Sequence, residues 1–280
     1  PVVGTVKDVI EKGGTVDRAL AIGVYGVMDV SEAQGAIWQI VGSEEDRLVK
    51  GPAYGKVVPQ AQAPVESGWP IWRHDGARSG STKEAVSPEL DLLWSADLGG
   101  LPTAATVAEG VALAAAVERH RICAFDARSG APRWCYTAGA RVDTPPTVFQ
   151  GLALFGCRDG WVHCLRLKDG APLWRFRAAP AEERIMARGQ LESSWPVHGS
   201  VLVEKGTAYF AAGRATMLEG GIRVYAVEPH SGNVLWNENL DTRTGRMICD
   251  LPASDGEQLH LASWKHPLVG KPGSPGRHLS

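Results

Sequence analysis

Three stretches of the sequence each end on a tryptophan that follows a turn glycine by four residues. They are ICAFDARSGAPRW (residues 122–134), VHCLRLKDGAPLW (162–174) and VYAVEPHSGNVLW (224–236). Trp94, Trp134 and Trp174 are spaced 40 residues apart, and Trp236 follows after 62, so its unit carries 22 additional residues. A large aromatic residue that recurs at a fixed spacing indicates a repeated structural unit.

Each of these stretches is preceded by two apolar runs that a glycine separates. The glycines are Gly110, Gly151 and Gly206, and the runs around the first one are TAATVAEG and VALAAAV. Short β-rich runs punctuated by glycine are hairpin signals. Four antiparallel strands in about 40 residues form the sequence pattern of a β-propeller blade, so we predict an all-β propeller of four-stranded blades. The best helical pattern covers residues 181–191, inside the insertion.

The repeated tryptophan has a physical explanation, because a single blade cannot bury both faces of its sheet. An indole on the outer strand can lie against the neighbouring blade, which removes about 150–250 Å² from water, worth roughly 4–6 kcal/mol before entropy. The glycine four residues earlier lets the turn adopt positive φ. The residues predicted to dock the blades are Trp94, Trp134, Trp174, Trp236, Gly130, Gly170 and Gly232.

The first stretch carries a specific motif, A-x-D-x-x-S-G-x-x-x-W, formed by Ala124, Asp126, Ser129, Gly130 and Trp134. It resembles the tryptophan-docking motif of the quinoprotein-type, or PQQ-like, β-propellers. The second stretch has Cys164 and Arg166 in place of the alanine and the aspartate, and the third has Glu228 in place of the aspartate. WPIWRHDGARSGST (residues 69–82) is also similar to the way such propellers begin.

The resemblance extends over about residues 69–236 and bears on the number of blades. Members of that superfamily usually close a ring of about seven or eight blades. About five fit in this chain of 280 residues, so we predict an incomplete ring and a chain that is a fragment. We interpret residues 1–65 as a strand-containing segment with a linker, and residues 66–280 as the propeller repeats.

Candidate binding residues come from positions that are equivalent in successive repeats. Pro102, Asp143 and His198 each precede a turn glycine by eight residues, which predicts that they lie at the channel entrance. Polar residues nearby, including Arg184, extend this set and could bind an anion or a quinone. Alternatively, arginines and carboxylates on neighbouring loops could pair with one another to fix the loops. The ligand-binding candidates are Arg141, Asp143, Arg158, Asp159, Arg188, Glu192, His198 and Arg214.

Composition excludes several classes of function. The formal net charge is −2, which gives no general attraction to nucleic acid. No apolar run approaches the roughly 20 residues of a transmembrane segment. The five cysteines are an odd number and form no CxxC pair, which argues against a disulfide framework and against a zinc site. We therefore expect no metal site, and the cysteines leave the redox compartment open.

The resemblance implies two different functions, and we keep both. PQQ-dependent dehydrogenases hold PQQ over a calcium or lanthanide ion with glutamate, asparagine and aspartate ligands, and often have an adjacent cysteine pair. This sequence has no such pair and no cluster that matches the ligands, so we assign no catalytic residue and no certain cofactor. The first hypothesis is a binding or scaffold module of a larger secreted or periplasmic envelope protein, with a protein or carbohydrate partner. The alternative is a quinoprotein dehydrogenase that oxidises alcohols or sugars with PQQ and calcium. A polysaccharide-binding or lyase-associated accessory module is a third possibility.

Overall fold

The computed structural model describes residues 22–23, 26–27, 47–57, 68–241, 248–263 and 268–270. The chain divides into two compact units, Pro1–Ile37 and Trp38–Ser280. In the first unit, β1 (Ile22–Gly23) and β2 (Gly26–Val27) form an antiparallel hairpin. The first described strand of the second unit is the short strand β3 (Leu48–Lys50), and a series of antiparallel sheets follows it. The predicted all-β fold is confirmed.

Two sheets form from the first two repeats, and each has four strands in sequence order. The first sheet contains β4 (Thr106–Ala108), β5 (Val111–Ala116), β6 (Arg121–Asp126) and β7 (Pro132–Thr137). The middle sheet contains β8 (Thr147–Phe149), β9 (Leu152–Gly156), β10 (Trp161–Arg166) and β11 (Pro172–Arg177). β3 pairs antiparallel with β11 and adds a fifth, outermost strand to the middle sheet.

The insertion and the remaining repeats follow. Residues 181–191, the best helical pattern in the sequence, contribute to a β-hairpin of β12 (Arg184–Ala187) and β13 (Gln190–Ser193). The pattern does not become a helix because Arg188 and Gly189 take φ angles of 52° and 73°, a two-residue hairpin turn. The third sheet contains β14 (Leu202–Glu204), β15 (Thr207–Ala212), β16 (Ile222–Val227) and β17 (Val234–Leu240). A fourth sheet of three described strands contains β18 (Ile248–Ser254), β19 (Leu259–Ser263) and β20 (Leu268–Gly270).

The glycine turns explain why each repeat starts with a hairpin. The turns at residues 109–110, 150–151 and 205–206 each place two successive residues at positive φ, between 46° and 78°. This is the backbone that two-residue turns need in order to match the right-handed twist of the strands they join. Gly110, Gly151 and Gly206 therefore fix where each first strand ends and each second strand begins.

Neighbouring sheets are connected through their first strands. Thr106 and Thr147 hold equivalent positions in β4 and β8, and both are buried. The Thr106 hydroxyl donates a hydrogen bond to the carbonyl of Pro146 at 2.8 Å, just before β8. The Thr147 hydroxyl donates to the carbonyl of Val201 at 2.5 Å, just before β14. One repeated side-chain contact thus fixes the spacing of three successive sheets.

The segment before the first repeat lies along these first strands. Trp69 forms a β-bridge with Val107 of β4, and the backbone amide of Val148 in β8 donates to the carbonyl of Pro70 at 2.7 Å. The guanidinium of Arg78 is buried and donates to the carbonyls of Ser200 and Pro252, both at 3.2 Å. The stretch of residues 69–82, whose sequence is similar to the start of quinoprotein-type propellers, therefore contacts the first, middle and fourth sheets and the segment just before the third sheet.

The main core lies between the middle and third sheets. All five residues of β9 are buried, and five of the six residues of β10 are too. Leu154, Phe176, Phe210 and Tyr225 are among the buried residues that join the two sheets. A strand with a neighbour on each face has no solvent side, which is why LALFG shows no alternation of polar and apolar residues.

Candidate functional site

The three turns that precede the tryptophans have one geometry. Gly130, Gly170 and Gly232 have φ angles of 71°, 70° and 71°. Each glycine amide donates to the carbonyl of the residue four positions earlier, at 2.9, 2.8 and 2.8 Å. In the first turn the Asp126 carboxylate also accepts from the amide and hydroxyl of Ser129, both at 2.9 Å. The turn geometry is therefore the same even where the motif residues differ.

The two residues that replace the motif aspartate keep the turn by other contacts. Glu228, in place of the aspartate, accepts from the amides of His230 and Ser231 at 3.0 and 2.6 Å. Arg166 cannot accept hydrogen bonds, and it pairs instead with the carboxylate of Asp169 within the same turn at 2.6 Å. The backbone conformation, and not the aspartate itself, is the common feature.

Three tryptophans donate their indole N–H to the next sheet in the series. Trp94 donates to the carbonyl of Ala127 at 3.0 Å, Trp134 to that of Leu167 at 2.9 Å, and Trp174 to that of Pro229 at 2.9 Å. Trp174 is fully buried, Trp134 is 8% exposed and Trp94 is half-buried. The same indole hydrogen bond therefore forms whether the tryptophan is fully buried or half-buried.

The same indoles cover the turn glycines. A Cβ atom built on Gly130 would lie 2.6 Å from the ring of Trp94, and one on Gly170 would lie 2.7 Å from the ring of Trp134. One on Gly232 would lie 2.8 Å from the ring of Trp174. Trp236 is half-buried and packs against Tyr209, and its indole nitrogen has no hydrogen-bond partner among the described residues.

Five of the eight ligand-binding candidates form one chain of ion pairs. Arg141 and Arg158 both bind Asp143, and the Arg141 contact is 3.2 Å. Arg158 and Arg214 both bind one oxygen of Glu192, at 2.9 and 2.8 Å. The Glu192 side chain is fully buried and that of Arg158 is 7% exposed. The structure therefore favours the second sequence interpretation, in which these charges fix the loops by pairing with one another.

The pKa values of Glu192 and Arg158 agree with ion pairs in which both partners are charged. Burial acts to raise the pKa of Glu192, but hydrogen bonds from Arg214 and Arg158 outweigh it and hold the pKa below its usual range. Burial acts to lower the pKa of Arg158, and the contacts with Asp143 and Glu192 outweigh it and raise the pKa. The Glu192 carboxylate is therefore ionised at neutral pH, and it lies between two cationic partners, Arg158 and Arg214.

The other three candidates lie outside this chain of ion pairs. Asp159 is in the turn between β9 and β10, where its carboxylate lies 3.7 Å from Nε2 of His163. Arg188 is in the turn of the β12–β13 hairpin. His198 is half-buried between β13 and β14. Of the two positions that are equivalent to His198, Asp143 belongs to the ion-pair chain and Pro102 is exposed.

The insertion hairpin reaches back to the first sheet. The Gln190 side chain donates to the carboxylate of Glu118 at 2.8 Å, and its oxygen is 3.0 Å from Nε2 of His120. Sequence reasoning missed these contacts because Glu118 and His120 are about 70 residues from Gln190. Three large apolar side chains on the insertion and on the loop that follows β15 are exposed: Met186, Met217 and Leu218, at 68%, 55% and 47%.

A disulfide joins Cys123 of β6 to Cys135 of β7. The sequence argument against disulfides was wrong, because an odd number of cysteines still allows one pair. The two residues lie directly opposite each other across the strands, with their Cα atoms 4.2 Å apart. Cys123 lies eleven residues before Trp134 and Cys135 lies one residue after it. In a hairpin of this register the two positions face each other, and this spacing was the available sequence signal. Cys164 is fully buried, and burial raises the pKa of its thiol well above the ordinary value.

Cys157, Asp159 and His163 form a second buried group. Their ligand atoms all lie within 4.8 Å of one another, and sequence reasoning had proposed only Asp159. Burial raises the pKa of the Cys157 thiol well above its ordinary value. Burial also acts to raise the pKa of Asp159, but the contacts with His163 outweigh it and lower the pKa. The group therefore combines a thiol, a carboxylate and an imidazole in one place.

A cavity of about 620 Å³ lies at the opposite end of the first strands from the ion-pair chain. Its lining includes the hairpin turns at 109–110, 150–151 and 205–206 and part of the segment that contains His74 and Asp75. Glu204 also lines it, and burial raises the pKa of that carboxyl. Within the part of the chain that the structure describes, no helix has the length and apolarity to span a membrane.

The successive four-stranded sheets, with tryptophans from one sheet placed over glycines of the next, define a β-propeller repeat protein. Residues 60–259 match the family described as outer membrane protein assembly factor BamB, and the chain belongs to that family. Comparison with proteins of curated function gives no match.

Two solved structures with a similar fold are a quinohemoprotein alcohol dehydrogenase from Comamonas testosteroni and BamB from Moraxella catarrhalis. The first is 20% identical with a TM-score of 0.52, and the match covers 63% of this chain and 28% of that one. The second is 19% identical with a TM-score of 0.48, and the match covers 64% of this chain and 49% of that one. The chain thus spans about half of their length or less, and at 20% identity the likeness to the first concerns the fold alone.

The ion-pair chain does not fit the PQQ and calcium site that the quinoprotein resemblance implies. Calcium needs several free oxygen ligands, whereas Asp143 and Glu192 each bind two arginines. The Cys157, Asp159 and His163 group offers a thiol and an imidazole, which suit softer metal ions. Neither group therefore offers the set of free oxygen ligands that calcium needs.

Proposed function

We propose that the chain is a binding or scaffold module of a larger secreted or envelope protein and that its partner is a protein. The main support is the ion-pair chain of Arg141, Asp143, Arg158, Glu192 and Arg214. These five side chains are the polar groups nearest the predicted channel entrance, and their charges neutralise one another. Such a network gives a rigid loop surface and leaves few groups for proton transfer. Membership in a family described as an assembly factor supports the same function.

The surface that we assign to the partner lies on the insertion and on the loop after β15. Arg214 connects these two elements, since it binds Glu192 and the carbonyl of Ser193 at 2.8 and 3.0 Å. Trp195 connects them again by donating to the carbonyl of Glu219 at 2.8 Å. Exposed methionines are adaptable apolar groups that suit a protein interface, and Met186 and Met217 are of this kind.

A periplasmic or secreted location follows from the same proposal. Disulfides persist in oxidising compartments and are rare in the cytosol, and Cys123 and Cys135 form one. An envelope location also agrees with the description of the family.

Site-specific photo-crosslinking tests the proposed partner surface. A photoreactive amino acid at position 186 should crosslink to a discrete envelope protein in cells that produce the chain. The matched control is the same group at position 235, because Leu235 is also an exposed apolar residue, at 54%, but lies on β17. Crosslinking that is absent at position 186, or equal at both positions, would contradict the proposed surface.

A second measurement separates this proposal from the quinoprotein alternative. A ligand at 100 times its Kd stabilises the folded state by about 2.7 kcal/mol, so PQQ with calcium should raise the Tm clearly if the chain binds it. We expect no change in Tm. A reproducible rise, together with PQQ-dependent alcohol or sugar oxidation, would favour the dehydrogenase. Binding to a polysaccharide without any protein crosslink would favour the carbohydrate-binding module.

A further inference from the structure

We propose that Cys157, Asp159 and His163 form a binding site for one divalent transition metal ion of the class of Zn²⁺. The three side chains come from one hairpin of the middle sheet. Cys157 follows β9 directly, Asp159 is in the turn, and His163 is on β10. Their ligand atoms lie within 4.8 Å of one another. Thiolate, carboxylate and imidazole are all ligands that Zn²⁺ takes in proteins.

The hairpin turn holds the first two residues in place. The amide of Gly160 donates to the carbonyl of Cys157 at 3.1 Å, and the amide of Trp161 donates to the carboxylate of Asp159 at 3.0 Å. Gly160 has a φ of 88°, which keeps the turn tight enough for both side chains to point to one side. The geometry is therefore set by the backbone before any metal binds.

His163 gives the independent indication of a ligand. Its side chain is 2% exposed, and its Nε2 atom has no hydrogen-bond partner although it faces Asp159. Its Nδ1 atom is 3.2 Å from the hydroxyl oxygen of Tyr136, and its ring stacks on Phe155 with the centroids 5.0 Å apart. Metal-binding histidines are commonly oriented in this way through the other ring nitrogen. With a metal on Nε2, Nδ1 carries the proton and donates to Tyr136.

The distance between His163 and Asp159 also fits a shared metal ion. Nε2 of His163 is 3.7 Å from Oδ2 of Asp159, which is too long for a hydrogen bond. Two ligands at about 2.0–2.2 Å from one tetrahedral Zn²⁺ lie about 3.3–3.6 Å apart. A small adjustment of the side chains would therefore place both atoms on one metal ion.

Charge favours the same assignment. Zn²⁺ binding displaces the thiol proton of Cys157 to solvent, which leaves a thiolate, the Asp159 carboxylate and a neutral imidazole. Two anionic ligands neutralise the two positive charges of the ion, as a buried site requires. A water molecule can complete four ligands. A Cys-His nucleophile is not favoured, because Cys157 is fully buried and leaves no space for a substrate.

Titration of the full chain with Co²⁺, which reports thiolate binding by absorption, tests the site. The metal-free protein is kept without thiol reagents, so that the Cys123–Cys135 disulfide stays intact. We expect about one equivalent of Co²⁺ to bind with a sulfur-to-metal charge-transfer band and tetrahedral visible bands, and Zn²⁺ to displace it. Absence of the charge-transfer band in the wild-type chain overturns the proposal.

The variants compare two buried cysteines of the same sheet. Cys157→Ala and His163→Ala should each weaken Co²⁺ binding by about tenfold or more, and Cys157→Ala should abolish the charge-transfer band. Cys164→Ala is the control, since Cys164 is equally buried but its sulfur faces the carbonyl of Pro229 at 3.8 Å. It should leave binding within about twofold. Asp159→Asn serves as a variant of nearly the same shape if an alanine variant does not fold. A band that persists in Cys157→Ala, or disappears in Cys164→Ala, contradicts the proposed ligands.

Discussion

The outer strands of the first and middle sheets differ although their sequences come from the same repeat. In β7 exposed and buried residues alternate along most of the strand, and it pairs only with β6 among the described strands. In β11 all but one residue are buried, because β3 pairs with its outer side. The loop after β3 adds to this cover, and Tyr54 donates to the carbonyl of Ser231 in the third sheet at 3.3 Å.

The same cross-strand position shows how each sheet has adapted. In the first sheet it holds Cys123 opposite Cys135, joined as a disulfide. In the middle sheet it holds His163 opposite Arg175. An uncovered outer strand has no neighbour to hold it, and a covalent link to β6 takes the place of that neighbour. A covered strand needs no such link, so this position is free for other chemistry.

The largest expected effect on the free energy of unfolding comes from removing the docking tryptophans, of which Trp174 and Trp134 are buried and Trp94 is half-buried. Trp174→Ala should lower the free energy of unfolding by about 3–5 kcal/mol, and Trp134→Ala by a similar amount, because each leaves a cavity in a packed contact. Trp94→Ala should cost about 1–2 kcal/mol, since Trp94 is half-buried. Chemical denaturation followed by circular dichroism measures all three. A cost below about 1 kcal/mol for Trp174→Ala would mean that burial of the indole does not hold the sheets together.

The next effect tests the covalent link of the first sheet. Replacing both Cys123 and Cys135 by alanine should lower the free energy of unfolding by about 3 kcal/mol, since the bond closes a loop with a sequence separation of 12. A reducing agent should destabilise the wild-type chain by a similar amount and should leave the double variant unchanged. Equal sensitivity of both proteins to the reducing agent would place the effect elsewhere.

A smaller effect separates backbone strain from contact with the indole. Gly170→Ala and Gly110→Ala both place alanine at positive φ, which costs about 1 kcal/mol. Only the Cβ at position 170 meets an indole ring, at 2.7 Å, while nothing lies within 4 Å of the Cβ at position 110. Gly170→Ala should therefore be the more destabilising by about 1–3 kcal/mol in a denaturant titration. Equal values would show that the indole moves away at no cost.

The smallest effect compares the carboxylates of the two turns. A hydrogen bond from Arg133, followed by those from Ser129, holds the pKa of Asp126 well below its usual range, and Arg166 lowers the pKa of Asp169. A lowered folded-state pKa stabilises the fold above about pH 3.9, and this contribution disappears as the pH falls through the folded-state value. Carboxyl NMR should show both residues titrating below that pH. Arg133→Gln should raise the pKa of Asp126 and leave that of Asp169 unchanged.

Much of the fold could be predicted because the repeat determines local backbone geometry. The glycines at 110, 151 and 206 marked the hairpin turns, and the tryptophan spacing marked the units, as confirmed by the sheets. The best helical pattern, at residues 181–191, forms a hairpin instead, because apolar spacing in a short insertion does not separate a helix from a hairpin. The boundary at residue 65 stays a prediction, although β3 from before that boundary pairs with the middle sheet.

The candidate site could be predicted only in part. Sequence reasoning placed Arg141, Asp143, Arg158, Glu192 and Arg214 near one another, and the structure brings these five together. It could not choose between ligand binding and mutual pairing, because that choice depends on which oxygen each guanidinium reaches.

By itself the sequence determined the repeating unit, since turn glycines and strand alternation act over a few residues and need no distant partner. Only the tertiary structure decided which units face solvent, which cysteines meet, and how the insertion reaches the first sheet. The reason is that burial and charge pairing depend on the stacking of whole sheets, and residues such as Gln190 and Glu118 become neighbours only after that stacking.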